Sequence, residues 1–215
     1  MKRYNSIEKM LMVSVMFTLV LLAARIVYTG QLYYIFYVWN LALASVPLAL
    51  SRWLAKHASF GFTSIVLLMA WLLFFPNAPY IITDVFHFAE RPPVPKWYDL
   101  LLVISGAWNG LMLGLVSLLQ VEEFLLKHLS EIKVHVLVSI SLLLGAFGIY
   151  LGRFLRFNSW DVITNPIDLI QALAYRVLYP FEHVGTWAFT FSFGGLLWII
   201  YFTLKFFPRI KLAGK

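Results

Sequence analysis

The 215 residues carry a formal net charge of +7, but only 13% of them are charged and 61% are hydrophobic. A soluble domain is about 45–50% apolar and about 25% charged, so the excess apolar surface of this chain must face lipid. The positive residues lie at the ends of apolar runs and form no basic stripe, which argues against nucleic acid as a partner. The chain has no cysteine, so disulfides, thiolate nucleophiles and Cys-based metal sites are excluded.

Apolar runs along the chain predict the fold. A bilayer core about 30 Å thick takes about 20 apolar residues in a helix. Six runs meet this length and predict an all-α polytopic bundle, a single integral membrane domain over residues 1–215, with spans at 10–28, 33–50, 60–75, 98–119, 134–155 and 186–207. We interpret the first run as an uncleaved span, because it is too long for a secretory signal. The third is short and stops at Pro76, so it either tilts little or continues past a proline kink.

The distribution of positive residues predicts the orientation. Eleven of the 17 Lys and Arg residues lie at the termini and in the connections on the same side as the termini. Positive residues concentrate on the cytoplasmic side, so both termini are expected there. Two long connections, 77–97 and 156–185, are then outside. Both are rich in aromatic and aliphatic residues, so we expect ordered interfacial or re-entrant segments on the outer face and not disordered linkers.

Small and polar residues inside the spans predict close helix packing. Gly106, Gly110 and Gly114 recur at every fourth position, and such a series lets helix backbones approach closely in lipid. The alternative is a pathway lined by exposed backbone. Asn40 and Asn109 lie at depth, where an amide is expected to form an interhelical hydrogen bond.

The connection after the third span carries polar residues at helical spacing. Intervals of three, four and three residues separate Asn77, Tyr80, Asp84 and His87. These intervals define one face of a helix. Asp84 and His87 are therefore the candidate catalytic acid and base. Asn77, Tyr80 and Thr83 are candidate substrate-binding residues.

A second polar segment follows the fifth span. Arg153 and Arg156 are three residues apart and are expected to share a face, with Asn158 and Asp161 just beyond. The forked donors of arginine suit an anionic group such as a phosphate, so these four residues are predicted to bind substrate on the same surface as Asp84. Four further residues are expected to add to this surface: Asp168, Arg176, Glu182 and His183. The alternative is that the charges only pair with one another and hold the outer segments together.

No cofactor is indicated, and no metal site is predicted. If a metal were bound, Asp84 and His87 would hold it with Asp161 or His183, since a carboxylate and a histidine three residues apart on a helix can share a metal ion.

Two tracts carry a family resemblance. Residues 75–84 (FPNAPYIITD) and 150–161 (YLGRFLRFNSWD) resemble an uncharacterised bacterial membrane-protein family, known as domain of unknown function 1361. The resemblance implies a bacterial inner, or plasma, membrane and supplies no reaction.

Three functions remain open. The first is an enzyme of the outer leaflet that acts on a lipid-linked or phosphate-bearing substrate, such as a lipid-linked saccharide, an isoprenoid phosphate or a phospholipid. The second is a non-enzymatic binding or assembly subunit of a membrane complex. The third is a small transporter or channel. Two observations argue against it: no predicted span carries an acid near its centre, and none is broken midway.

Overall fold

The structure, a computed structural model, describes residues 2–56 and 59–206. Six stretches in these ranges are long and apolar enough to cross a membrane: Ser6–Thr29, Phe36–Lys56, Phe62–His87, Lys96–Leu126, Glu131–Phe154 and Val184–Phe206. No β-strand occurs in the described ranges. The prediction of an all-α bundle with six spans is confirmed, and the chain is a multi-pass protein of the lipid bilayer.

Nine α-helices and one 3₁₀ helix occur in the described ranges. In chain order they are α1 (Lys2–Thr29), α2 (Phe36–Lys56), α3 (Phe62–Phe74), α4 (Asn77–Tyr80), the 3₁₀ helix (Ile81–His87), α5 (Lys96–Leu126), α6 (Glu131–Phe154), α7 (Asp161–Thr164), α8 (Pro166–Leu178) and α9 (Val184–Phe206). Three helices, α1, α2 and α5, continue a turn or more beyond the predicted apolar runs, because polar residues at a span end still form helical hydrogen bonds. The last residue of the predicted sixth span, 207, lies outside the described residues.

The third span continues past its proline. α3 alone would cover about 20 Å at 1.5 Å per residue, which is less than a bilayer core. Phe75 and Pro76 both keep helical backbone angles, with φ −53° and −57°, so α4 and the 3₁₀ helix extend the same span to His87. Of the two alternatives for this run, the continuation is correct.

Within the unit Met1–His128, α5 is the central helix. It packs against α1, α2, α4 and the 3₁₀ helix. A Cβ on Gly106 would overlap the ring of Tyr37, and a Cβ on Gly110 would overlap the Ala78 carbonyl oxygen and lie 2.8 Å from the Ile81 Cβ. The predicted packing role of these glycines is therefore confirmed.

Within the unit Leu129–Lys215, α6 and α9 pack together. Gly194 allows this approach, since a Cβ there would lie 3.2 Å from Leu143 and 3.5 Å from Ala146. The connection between them contains α7 and α8. α8 buries no residue and has 13 residues, about 20 Å, too few to span a bilayer. The connection 156–185 thus contains the ordered helices α7 and α8, and residues 77–87 of the other connection are helical as part of the third span. The placement of both connections on the outer face stays a prediction. The single-domain assignment stays a prediction.

Candidate functional site

The segment 77–87 buries its carboxylate. Asp84 is 1% exposed and Thr83 is 3% exposed, whereas Val85 and Phe86 are 46% and 70% exposed. In water an amphipathic helix exposes its polar residues, but a helix in lipid exposes its apolar residues and buries its polar ones. The predicted polar face is not buried as a whole, because His87 at its end is exposed.

A side-chain amide from α2 holds the Asp84 carboxylate. Asn40 Nδ2 donates to Asp84 Oδ2 at 3.0 Å. The prediction that Asn40 forms an interhelical hydrogen bond is confirmed, and its partner is the candidate catalytic acid. An amide donor stabilises a carboxylate without neutralising its charge, so this contact orients Asp84.

His87 lies one 3₁₀ turn after Asp84. Residues three apart eclipse one another in a 3₁₀ helix, so Asp84 and His87 share a side as predicted. The His87 side chain is exposed. The centre of its ring lies 5.5 Å from that of Phe36, and the Phe36 ring stacks on the Tyr37 ring with their centres 4.8 Å apart. The pair thus combines a buried carboxylate with an accessible imidazole, an arrangement suited to moving a proton between a substrate and the interior of the site.

The three candidate binding residues of this segment mostly secure its backbone. Asn77 Nδ2 donates to the Phe74 carbonyl oxygen at 2.9 Å, across the junction between α3 and α4. Thr83 Oγ1 donates to the Tyr80 carbonyl oxygen at 2.7 Å. The Tyr80 side chain is half-buried. Their proposed role in binding substrate stays a prediction.

The second segment differs from its predicted geometry at Arg156. Arg153 lies in the last turn of α6, which ends at Phe154, and Arg156 has φ 63°. This left-handed conformation takes the chain out of the helix, so Arg153 and Arg156 do not share a helical face. The predicted span ended at residue 155, one residue beyond the end of α6, and the shared face was expected to continue to Arg156. A left-handed angle is costly for a residue with a Cβ, and such strain often marks functional positions.

Asn158 and Asp161 come together in a turn that starts α7. The Asn158 backbone N–H donates to Asp161 Oδ2 at 2.6 Å, and the Thr164 hydroxyl donates to Asp161 Oδ1 at 2.8 Å. These hydrogen bonds, the backbone one first, hold the pKa of Asp161 below its usual value. Both carboxylate oxygens are therefore engaged in ordering the turn.

The additional residues form local contacts in the same unit. Asn165 donates to Asp168 at 2.9 Å, and the Tyr175 hydroxyl donates to Glu182 at 3.0 Å, which raises the pKa of Tyr175. The ring of His183 lies 4.9 Å from the ring of Tyr175. Arg176 donates through Nη1 to its own helix, to the Ala172 carbonyl oxygen at 2.9 Å. Within residues 2–56 and 59–206, no group of three or more His, Asp or Glu is placed to hold a metal ion.

One buried ion pair was missed by the sequence argument. Arg25 of α1 donates through Nε to Asp99 Oδ1 at 2.6 Å and through Nη2 to Oδ2 at 3.1 Å, and both side chains are 1% exposed. An acid in the first turn of α5, Asp99, was the available signal.

Two further polar layers join α1 to α5. Thr18 donates to Ser105 at 3.0 Å and accepts from Asn109 at 2.7 Å, which confirms the interhelical role predicted for Asn109. Nearer the start of α1, Gln120 donates to Glu8 at 2.9 Å. The buried face of α1 is thus polar at three levels, each matched by a residue of α5.

These features define a multi-pass helical membrane protein with ionisable groups buried in its spans. The profile of the family described as Protein of unknown function (DUF1361) matches residues 39–200, so the chain belongs to that family. The resemblance drawn from the two tracts is confirmed. No curated protein and no solved structure matches the chain.

Proposed function

We propose that the chain binds a lipid-linked or phosphate-bearing substrate beside Asp84 and acts on it as an enzyme, with Asp84 and His87 as acid and base. The observation that carries this proposal is the buried Asp84 carboxylate, held by Asn40 within the third span, one 3₁₀ turn from the accessible His87. Ionisable groups inside a membrane are costly and are usually retained for function. Within the unit Leu129–Lys215, Arg153 and Arg156 keep their proposed role in binding an anionic group, beside the turn that Asn158 and Asp161 form.

The test is substrate conversion by the purified full chain. The protein is reconstituted in liposomes that contain a bacterial polar lipid extract, isoprenoid phosphates and lipid-linked saccharides, and lipids are followed by mass spectrometry. We expect one lipid to be consumed by the wild type and not by Asp84→Asn or His87→Gln. The matched control is Glu123→Gln, which also replaces a carboxylate with an amide, at an exposed position outside the proposed site, and should leave conversion unchanged.

The outcomes separate the proposal from its alternatives. Co-purification of one lipid without conversion would favour the binding or assembly subunit. Passage of a solute across the sealed liposomes without conversion would favour a transporter. Conversion that survives in both Asp84→Asn and His87→Gln would reject these residues as the acid and base.

We also propose the bacterial inner membrane as the location, with both termini in the cytoplasm. The excess of Lys and Arg on the side of the termini supports this orientation. Because the chain has no cysteine, single substitutions such as Gln31→Cys and Ser130→Cys create unique labels. In intact cells a membrane-impermeant maleimide should label position 31 and not position 130, and the reverse pattern would invert the topology.

A further inference from the structure

Two arginines converge on the same pair of tyrosine rings where α1 ends and α5 begins. The Arg25 guanidinium lies 4.8 Å from the centre of the Tyr34 ring and 5.9 Å from that of Tyr33. The Arg91 guanidinium lies 4.2 Å from the Tyr33 ring and 5.8 Å from the Tyr34 ring. We call Arg25, Tyr33, Tyr34, Arg91 and Asp99 the arginine–tyrosine cluster. All of its members lie in the unit Met1–His128.

Charge in this cluster is not balanced. Asp99 neutralises Arg25 through two hydrogen bonds, and Arg91 forms no ion pair with any residue that the structure describes. Cation–π contact with Tyr33 stabilises a guanidinium but leaves its charge in place. The cluster therefore carries one net positive charge at the end of the membrane-spanning helices.

Three buried polar atoms of the cluster have no hydrogen-bond partner in the described protein. They are Arg25 Nη1, Arg91 Nε and Tyr34 Oη. The residues Arg25 and Tyr34, which carry two of these atoms, are 2% and 1% exposed as whole residues. Each guanidinium nitrogen and the phenol can donate a hydrogen bond, so each of the three atoms requires an oxygen acceptor. Buried donors without an acceptor are rare in native structures, and three in one cluster point to a ligand.

We propose that the arginine–tyrosine cluster binds a phosphate-type oxyanion. A phosphate group offers several oxygens and a negative charge, which match the three donors and the net positive charge. Arg25 is one helical turn before the end of α1, at the depth where lipid phosphates meet the hydrocarbon boundary. Asp99 holds Arg25 by Nε and Nη2, which turns its remaining nitrogen, Nη1, toward this ligand. The site uses none of the residues proposed for catalysis, so it stands or fails separately from the proposed enzyme.

The test measures binding to the full chain in a neutral maltoside detergent by calorimetry and native mass spectrometry. The probes are inorganic phosphate, dioctanoyl phosphatidic acid and dioctanoylglycerol, which has the same acyl chains without the phosphate. We expect phosphatidic acid to bind and dioctanoylglycerol not to bind. Binding of phosphatidic acid alone identifies a lipid headgroup, whereas equal binding of inorganic phosphate identifies a site for the free oxyanion.

Substitutions assign the binding to the cluster. Arg91→Gln removes the unbalanced charge and should weaken phosphatidic acid binding about tenfold or more, since hydrogen bonds to charged groups are the strong ones. Tyr34→Phe removes only a hydroxyl, leaves both charges and should weaken binding by about threefold or more, so it keeps the test valid if Arg91→Gln does not fold. The control is Lys96→Gln, which removes a neighbouring positive charge outside the cluster and should leave the affinity unchanged.

The proposal is overturned if neither phosphate-bearing probe binds, or if dioctanoylglycerol binds as well as phosphatidic acid. It is also overturned if Tyr34→Phe binds phosphatidic acid as tightly as the wild type. Asp84→Asn should bind like the wild type, so loss of conversion in that variant with intact binding would separate the two sites.

Discussion

The Arg25–Asp99 ion pair should be the most costly single contact to break in the unit Met1–His128. Both side chains are 1% exposed and are joined by two hydrogen bonds. Asp99→Asn keeps the shape of the side chain but removes its charge and faces Arg25 with an amide donor. Removal of one partner from a buried pair costs about 3–5 kcal/mol, because the other charge stays buried and uncompensated.

This cost translates into a measurable shift. For a chain of this size about 1 kcal/mol corresponds to about 2–4 °C in Tm, so Asp99→Asn should lower Tm by about 6–20 °C. The matched comparison is Arg52→Gln, which breaks the pair of Arg52 with Glu8. That pair spans 3.5 Å, and the Arg52 side chain is 53% exposed. Glu8 is buried, but it keeps its hydrogen bond from Gln120 when the exposed Arg52 is replaced. The change should therefore cost about 1 kcal/mol at most, and Arg52→Gln should lower Tm by about 4 °C at most.

Thermal unfolding of the purified chain in maltoside micelles, followed by far-UV circular dichroism, checks both values. The double variant Arg25→Met/Asp99→Leu provides a third Tm for comparison. It removes both charges together and should unfold at a higher temperature than Asp99→Asn. If Asp99→Asn shifts Tm no more than Arg52→Gln does, the Arg25–Asp99 pair is not a buried, mutually dependent pair and the reasoning is wrong.

Three further predictions concern helix packing, strain and pH. Gly110→Ala should destabilise the fold by about 1–3 kcal/mol, because the added Cβ would overlap with neighbouring backbone. Gly195→Ala should be neutral or stabilising, because nothing lies within 4 Å of the added Cβ, and the Tm values of the two variants test this difference. Arg156→Gly relieves a left-handed residue and should leave Tm unchanged or raise the stability by up to about 1 kcal/mol, and a clear loss would contradict the strain. The lowered pKa of Asp161 stabilises its turn above the carboxyl's unfolded value of about 4, and this stabilisation is lost as pH falls through the folded value. Hydrogen exchange of residues 155–165, corrected for the intrinsic rate, should therefore quicken in acid in the wild type but not in Asp161→Asn.

The six spans were predictable because the thickness of the bilayer sets the length of an apolar run. Their ends were less predictable. The fourth run was expected to end at residue 119, before the acidic pair of the sequence QVEEF, yet α5 continues to Leu126 and buries Glu122. A carboxylate near a span end is tolerated when neighbouring helices cover it, and hydropathy along one chain does not contain that information.

The polar partners were the least predictable part of the site. The Arg25–Asp99 and Asn40–Asp84 contacts join residues 74 and 44 positions apart. Which helices are neighbours decides such pairs, and spacing within one helix does not reveal it. Spacing did single out the segment 77–87 as a candidate. It did not show that Asp84 is buried, because the rule that polar faces point outward reverses in lipid.

The polar face of α1 limits how the family match is interpreted. The match begins at residue 39, so α1 and Tyr34 precede the matched region. Yet three residues of α5 that form hydrogen bonds with α1 lie inside it. Asp99 accepts from α1, and Asn109 and Gln120 donate to α1. Without α1 these groups would be left unsatisfied in hydrocarbon, at a cost of several kcal/mol each. α1 is therefore an integral part of the unit Met1–His128. Asp84 and His87 lie in the matched region, whereas two members of the arginine–tyrosine cluster with unpartnered atoms, Arg25 and Tyr34, lie before it. The proposed acid–base function thus depends on residues within the family match. The proposed phosphate site depends also on Arg25 and Tyr34, which precede the match.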